Sequence, residues 1–166
     1  MNKIAIIYTS KHGTTEKVSF SIAEKLKELY EIELISLKKK SIPKLDDFEC
    51  LILGTPIYAG QSSMKMKNFY NANRNILLQK KIALFVCGMY PYKELREKEL
   101  NDAYPQVFQE KAIAKEFLGG EFNFEKMNFV ERLIIKKISK TNKSVSKIDW
   151  DNVEGFVKNV CKQLNN

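Results

Sequence analysis

At 166 residues, 44% of them hydrophobic, the chain is long enough to build one domain with a substantial core and too short to favour two. No uninterrupted apolar run approaches the roughly 20 residues that cross a bilayer, and the amino terminus leads straight into an apolar strand pattern with no room for a signal or transit peptide, so the expected protein is cytoplasmic and at most peripheral to a membrane. The formal net charge of +8 implies acidic partners or, equally, a solvated lysine-rich surface.

The first apolar run, residues 4–8 (IAIIY), stops at TSKHGTT, and helical spacing takes over with Val18, Ile22, Ala23 and Leu26, which predicts strand, polar loop and a helix over residues 14–29. Residues 32–37 (IELISL) alternate and predict a second, edge strand. The connection KKKSIPKLDDFE has room for no long helix, only for a short turn tethered by Ile42 and Leu45. CLILGTP, from residue 50, has the continuous apolar character of a strand buried on both faces, and it breaks at GTPIYAGQSS. A helix over residues 64–78 follows, with Met64, Met66, Phe69, Tyr70, Asn73, Ile76 and Leu77 on a mixed face read as core. KIALFVCG, residues 81–88, predicts a fourth strand. YKELREKELNDAY has the charge pattern of an exposed helix, interrupted at Tyr104-Pro105. KAIAKEFLGG predicts a fifth strand ending near Gly119 and Gly120.

Beyond it, a helix over residues 129–138 gathers Val130, Leu133, Ile134 and Ile138 on one face, while Arg132, Lys136, Lys137, Lys140, Lys143 and Lys147 follow with no acidic residue between them. Two readings stand: an amphipathic helix packed on the core with solvated lysines, or a surface that meets anionic lipid or an acidic partner. Asp149 is expected to cap a last helix with Trp150, Val153, Phe156, Val157 and Val160 on its core face.

Five short strands separated by helices predict an α/β, doubly wound parallel sheet of order 2-1-3-4-5, with a ligand crevice at the carboxyl ends of strands one and three. TSKHGTT, GTPIYAG and CGMYPY all fall at that rim. In the first, four of seven residues carry a hydroxyl around one glycine. Such a loop feeding a helix aims unpaired N–H groups and a positive helix end at one point, where a phosphate is the natural occupant; the alternative is a plain turn in which Ser10 or Thr14 caps the helix. The dinucleotide fingerprint and the GKS or GKT of a P-loop are both missing, so the expected ligand is a mononucleotide held by hydroxyls and backbone, without a phosphate-binding lysine or magnesium. Tyr58 is either an ordinary loop aromatic or one flat wall for a planar ring, and Cys87 and Met89 either pack the strand end or line the same ring. The widely spaced Cys50, Cys87 and Cys161 suit neither a disulfide framework nor a CxxC pair, and the single histidine, His12, excludes a histidine-rich metal site and makes a Ser/His/Asp triad a poor fit.

The three loops together resemble the flavodoxin family, which binds FMN at three such turns. The resemblance implies a flavodoxin-like fold and FMN as cofactor. The phosphate would lie among Ser10, Lys11, His12, Gly13, Thr14 and Thr15, with Lys11 and His12 standing where many flavodoxins have threonines. Thr55, Pro56, Ile57, Tyr58, Ala59 and Gly60 would line the ring, with Tyr58 stacked on or flanking it, and Cys87, Gly88, Met89 and Tyr90 would take its other side. The chemistry would be the flavin's, with no catalytic side chain. Because no Asp or Glu lies between Gly54 and Tyr92, the flavin is expected to be a weaker reductant than in an acidic flavodoxin.

ERLIIKKI, the basic connection and DWDNVEGF extend the resemblance, over nearly the whole chain, to the menaquinone-dependent protoporphyrinogen IX dehydrogenase branch. That implies an FMN-dependent oxidoreductase taking hydrogen from a porphyrinogen and passing electrons to a quinone, in contact with an anionic membrane through Arg132, Lys136, Lys137 and Lys140. The stretch MYPYKELREKELND, as acidic as it is basic, is less suited to a substrate bearing propionates. The alternatives are an electron carrier that docks redox proteins and a non-redox nucleotide-binding module. Nucleic acid is not an expected partner.

Overall fold

The computed structural model describes residues 2–39, 41–58, 60–89, 92–140 and 143–166, with only the backbone of Ile138. The first strand is β1 (Lys3–Tyr8), whose Ile4, Ala5, Ile6 and Ile7 are all fully buried. Alternation along a strand sends Ile4 and Ile6 to one face and Ala5 and Ile7 to the other, so a strand apolar at every position requires cover on both. On one face that cover is α1 (Thr14–Leu26) and α7 (Trp150–Leu164), through Val18, Ile22, Leu26, Val153, Phe156 and Val160. On the other it is α2 (Met64–Ala72), α3 (Arg74–Gln79), α4 (Lys93–Ala103) and α5 (Gln106–Lys111), through Met66, Phe69, Leu77, Leu100 and Phe108.

With β2 (Glu31–Ser36), β3 (Cys50–Tyr58), β5 (Lys81–Cys87) and β6 (Ala114–Phe117), the parallel sheet runs in the order β2-β1-β3-β5-β6. This is the expected 2-1-3-4-5 arrangement. The short β4 (Gln61–Ser62) pairs antiparallel with the end of β3. Tyr104 follows α4 and is fully dehydrated under the sheet, its hydroxyl 2.8 Å from Leu53 O and 3.0 Å from Phe85 O, which ties β3 to β5.

Several elements depart from the sequence expectation. The helix expected over residues 64–78 is broken at Asn73 (φ −110°), whose side-chain amide donates to Phe69 O. β3 does not stop at the glycine; it continues through Tyr58 and turns back at Gly60 (φ +74°) as a hairpin. Leu45 anchors a single 3-10 turn as expected, while Ile42 is exposed. Trp150, expected in the core, is the first residue of α7 and is 43% exposed.

The largest departure follows β6. The chain passes through Leu118 into β7 (Gly119–Phe122), makes an excursion over residues 123–144, and returns as β8 (Val145–Ile148), antiparallel to β7. The excursion holds α6 (Phe129–Ser139), entered through a capping box in which the Asn128 side chain accepts from Glu131 N and Glu131 accepts from Asn128 N. Phe129, Val130, Leu133 and Ile134 are exposed by half or more of their surface, so α6 does not pack these residues on the core.

Candidate functional site

The turn between β1 and α1 is held in place by backbone and hydroxyl groups. Thr9 N donates to Gly54 O at 3.0 Å, and Thr9 Oγ1 lies 3.4 Å from Thr55 Oγ1, which fastens the turn to β3. Gly13 takes φ +96°, open to glycine and strained for other residues, and its N–H donates to Ser10 Oγ at 3.0 Å. It is also the N-cap of α1, and no side chain caps that helix. Ser10 therefore shapes the turn without capping the helix, and the first N–H groups of α1 are left free for a ligand. Beside them, Thr15 is 1% exposed, and its Oγ1 lies near the Cys87 thiol but makes no hydrogen bond of good geometry among the described residues. An orphaned buried hydroxyl next to an uncapped helix start is a donor set that suits an anion.

A cavity of about 170 Å³ opens from this turn. Ser10, Lys11, His12, Thr14 and Thr15 line it from the first loop, Pro56, Ile57 and Tyr58 from the end of β3, and Cys87, Gly88 and Met89 from the end of β5. Three chain segments distant in sequence thus meet at one rim, as doubly wound topology requires. Gly13 shapes this wall without lining it. Thr55 is fully buried and outside the lining: its Oγ1 accepts from Ser63 N at 3.2 Å and knots the hairpin to the start of α2. Gly60 sits at the hairpin turn, also away from the lining. Ala59 and Tyr90 lie outside the described residues.

Tyr58 forms one wall, 38% exposed, with the edge of His12 against it at 5.5 Å and the Lys11 ammonium 5.4 Å from its ring centre. Beside it lies a second cavity of about 480 Å³, lined among others by Lys38, Gln61, Ser62, Ser63, Met64 and Lys65 and sharing Ser10, Lys11, Pro56 and Tyr58 with the first. Burial, with the Glu131 carboxylate adding, pushes the Tyr58 phenol up to about 12; burial does the same for the Cys87 thiol, against the Thr15 hydroxyl. Both remain protonated at neutral pH and supply no base.

The site also contains residues that none of the three loops carries. Gly120, Glu121, Phe122, Met127 and Ile135 complete the lining from β7 and the excursion, which roofs the cavity. Gly120 permits this: a Cβ there would meet Gly88 O at 2.6 Å, while Gly88 N donates to Gly119 O at 3.0 Å. The roof is latched by Glu131, which accepts from Lys11 and lies 3.4 Å from His12 Nε2. The hydrogen bond from Lys11 holds the Glu131 carboxyl below the usual carboxylate range. The Asn128-x-x-Glu131 spacing is the one sequence sign of this arrangement, since it marks a helix start without indicating where that helix docks.

Fold and cavity together define a doubly wound α/β domain of the mononucleotide-binding kind, its cavity opening at the β1/β3 switch point. A family model described as flavodoxin domain matches residues 5–149, and the chain belongs to that family. It is 34% identical over 82 residues to the flavodoxin of Clostridium saccharobutylicum, an alignment covering 48% of this chain and about half (51%) of that relative. It is 19% identical over 171 residues to the protoporphyrinogen IX dehydrogenase [quinone] of Escherichia coli strain K12, covering 96% of this chain and 94% of that protein. The fold is similar to oxidised flavodoxin 1 of Bacillus cereus (TM-score 0.51, 24% identity, 75% of this chain and 89% of that one). It is likewise similar to the flavodiiron protein of Giardia intestinalis (TM-score 0.53, 14% identity, 98% of this chain and 37% of that one). FMN is the cofactor of the flavodoxin family. The uncapped start of α1, the orphaned Thr15 hydroxyl and the flat wall of Tyr58 fit its phosphate and its ring.

Proposed function

We propose that this flavodoxin-family protein is an FMN-dependent oxidoreductase that takes hydrogen from a reduced porphyrinogen and delivers electrons to a quinone. Ser10, Thr14 and Thr15, with the first N–H groups of α1, hold the phosphate. Lys11 and His12 brace the Tyr58 wall, and Pro56, Ile57, Cys87, Gly88 and Met89 flank the ring, with Ala59 and Tyr90 assigned from the sequence pattern and Gly60 shaping the hairpin turn beside it. When bound, the flavin supplies a hydride-accepting centre. The protein orients it, excludes water beneath the roof and keeps the Tyr58 and Cys87 protons in place, so no side chain acts as general base.

The observation that carries the substrate reading is the excursion over residues 123–144. It roofs the cofactor cavity, and it lies within the part of the chain that aligns end to end with the Escherichia coli dehydrogenase. Its outer face joins exposed Phe129, Val130, Leu133 and Ile134 to exposed Lys136, Lys137 and Lys140, the composition of an interfacial helix at an anionic bilayer where a quinone dissolves. Arg132 contributes less to that face, because its Nε donates to Met127 O at 3.0 Å and steadies the turn before α6. No described helix is long and apolar enough to cross a membrane, so any contact would be peripheral.

Turnover of protoporphyrinogen IX with a menaquinone analogue by the FMN-loaded protein tests this reading, and porphyrin should appear with quinone-dependent kinetics. The second reading, an electron carrier, is favoured by the 34% identity to the Clostridium flavodoxin. It predicts no turnover and exchange with protein partners alone. Flotation with anionic liposomes should recover the wild-type chain and lose the triple variant K136E/K137E/K140E; equal recovery of both would remove the membrane contact.

A further inference from the structure

The sequence promises a phosphate site without a lysine, yet the fold brings one there. Lys126 closes the 3-10 turn Phe124–Lys126 at the start of the excursion. A Cβ added at Gly13 would lie 2.7 Å from Lys126 Nζ and 3.9 Å from its Cδ and Cε, so the ammonium rests against the left-handed residue immediately before α1. The lysine is anchored on both sides: Phe124 and Met127 are 8% and 5% exposed, and Phe124 N donates to Ser144 Oγ at 3.1 Å.

Charge pairing sets Lys126 apart from its neighbours. Lys11 is engaged by Glu131, and Lys17 by Glu121 at 3.1 Å. Among the described residues, no carboxylate lies within ion-pair distance of Lys126 Nζ. Lys126 is exposed and solvated, and its ammonium beside the positive end of a thirteen-residue helix adds to that helix's attraction for an anion placed between them. The orphaned Thr15 Oγ1, 1% exposed at the same helix start, points independently to an acceptor-rich ligand there.

We propose that Lys126 is the counter-ion of the FMN phosphate, so that the element roofing the site also reads the group that distinguishes FMN from riboflavin. This rests on the FMN reading above. Its consequence is selectivity: the dianionic phosphate is gripped by hydroxyls, helix N–H groups and one ammonium, whereas riboflavin engages only the ring walls.

Flavin-fluorescence titration of the full-length apoprotein with FMN and, separately, riboflavin tests the inference. K126A should weaken FMN about tenfold, the worth of one charge-assisted hydrogen bond, while leaving riboflavin affinity within about twofold. K126R should retain FMN affinity, and K158A, which removes an exposed charge from α7, should change neither constant. An unchanged FMN-to-riboflavin ratio in a folded K126A protein overturns the role of Lys126 and leaves the FMN reading standing. Failure of the wild-type protein to bind either flavin overturns both. Should K126A misfold, the ratio measured on K126R and K126Q decides: Gln lowering it and Arg preserving it supports the charge role, and equal ratios refute it.

Discussion

Two glycines show how much one missing methyl controls. At Gly54 an added Cβ would come within 2.1 Å of the Phe85 ring, which itself packs edge-on against Phe156 at 6.0 Å. Gly54→Ala therefore overfills the face shared by α1 and α7, at a cost of about 1–3 kcal/mol. The melting temperature should fall by about 2–4 °C per kcal/mol in a chain of this size, which calorimetry would register. Gly120 is crowded differently, by the Gly88 carbonyl at 2.6 Å and therefore by backbone that cannot swing aside. Gly88 lines the cavity, so Gly120→Ala should act on the ligand: displacing that strand end at a similar ~1–3 kcal/mol corresponds to FMN affinity lower by roughly 5- to 150-fold. An affinity equal to wild type would mean that β7 yields without moving Gly88. Neither consequence is legible in the sequence, because each depends on a partner brought close only by strand pairing.

At the scale of elements, β1, β3 and β5 are legible as buried parallel strands because each carries an unbroken apolar run, IAIIY, CLIL and IALFVC, and the loops that end them are legible because polar or glycine-rich residues interrupt those runs abruptly. The β7–β8 hairpin is not. Its strands GGEF and VSKI are four residues each, carry no alternation, and are paired across the whole excursion. α6 is legible as an amphipathic helix, while its orientation is not: Glu131 and Ile135 turn inward to the site, and the apolar face turns outward. The cavity beneath, about 170 Å³, is smaller than the ~300 Å³ at which ligand pockets begin, so a flavin ring either extends past Tyr58 into the adjoining cavity of about 480 Å³ or lifts the roof. The Lys11–Glu131 latch opposes that motion. Glu131→Gln should accelerate both uptake and release of FMN in stopped-flow fluorescence, and identical rates would show that the latch does not gate the site. The pH dependence follows from the lowered Glu131 pKa, whose largest cause is the hydrogen bond from Lys11. The latch is at full strength above the unfolded carboxylate value of about 4.3 and is lost only as pH falls through the lower folded value. Exchange rates should thus stay flat from neutral pH into mild acid and rise below it.

For the whole molecule, the question is which charges the flavin would sense. A net charge of +8 is spread over the surface, and a Debye length of about 8 Å at physiological ionic strength removes most of it from consideration. What remains is local. The loops flanking the ring contribute no carboxylate, and of those the fold brings near, Glu121 is paired with Lys17 at 3.1 Å and Glu131 with Lys11, leaving the buried Glu99 beside Gly60, whose Oε2 has no partner among the described residues, as the one to weigh. An acidic flavodoxin confronts its reduced cofactor with unpaired carboxylates. One uncompensated unit charge about 8 Å away at an effective dielectric near 20 is worth roughly 2 kcal/mol, or ~90 mV in a one-electron couple. The lower of the two one-electron couples should therefore lie less negative than in an acidic flavodoxin, by an amount of that order, and a redox titration returning a strongly low-potential couple would sink the argument. Lys17→Ala isolates the local contribution. It leaves Glu121 unpaired in the cavity wall while removing a single exposed charge from the surface, so the couple should move negative by up to ~90 mV if pairing governs it. If net charge governed it instead, Lys158→Ala in the middle of α7 would shift the couple as much as Lys17→Ala, and adding salt would abolish both shifts.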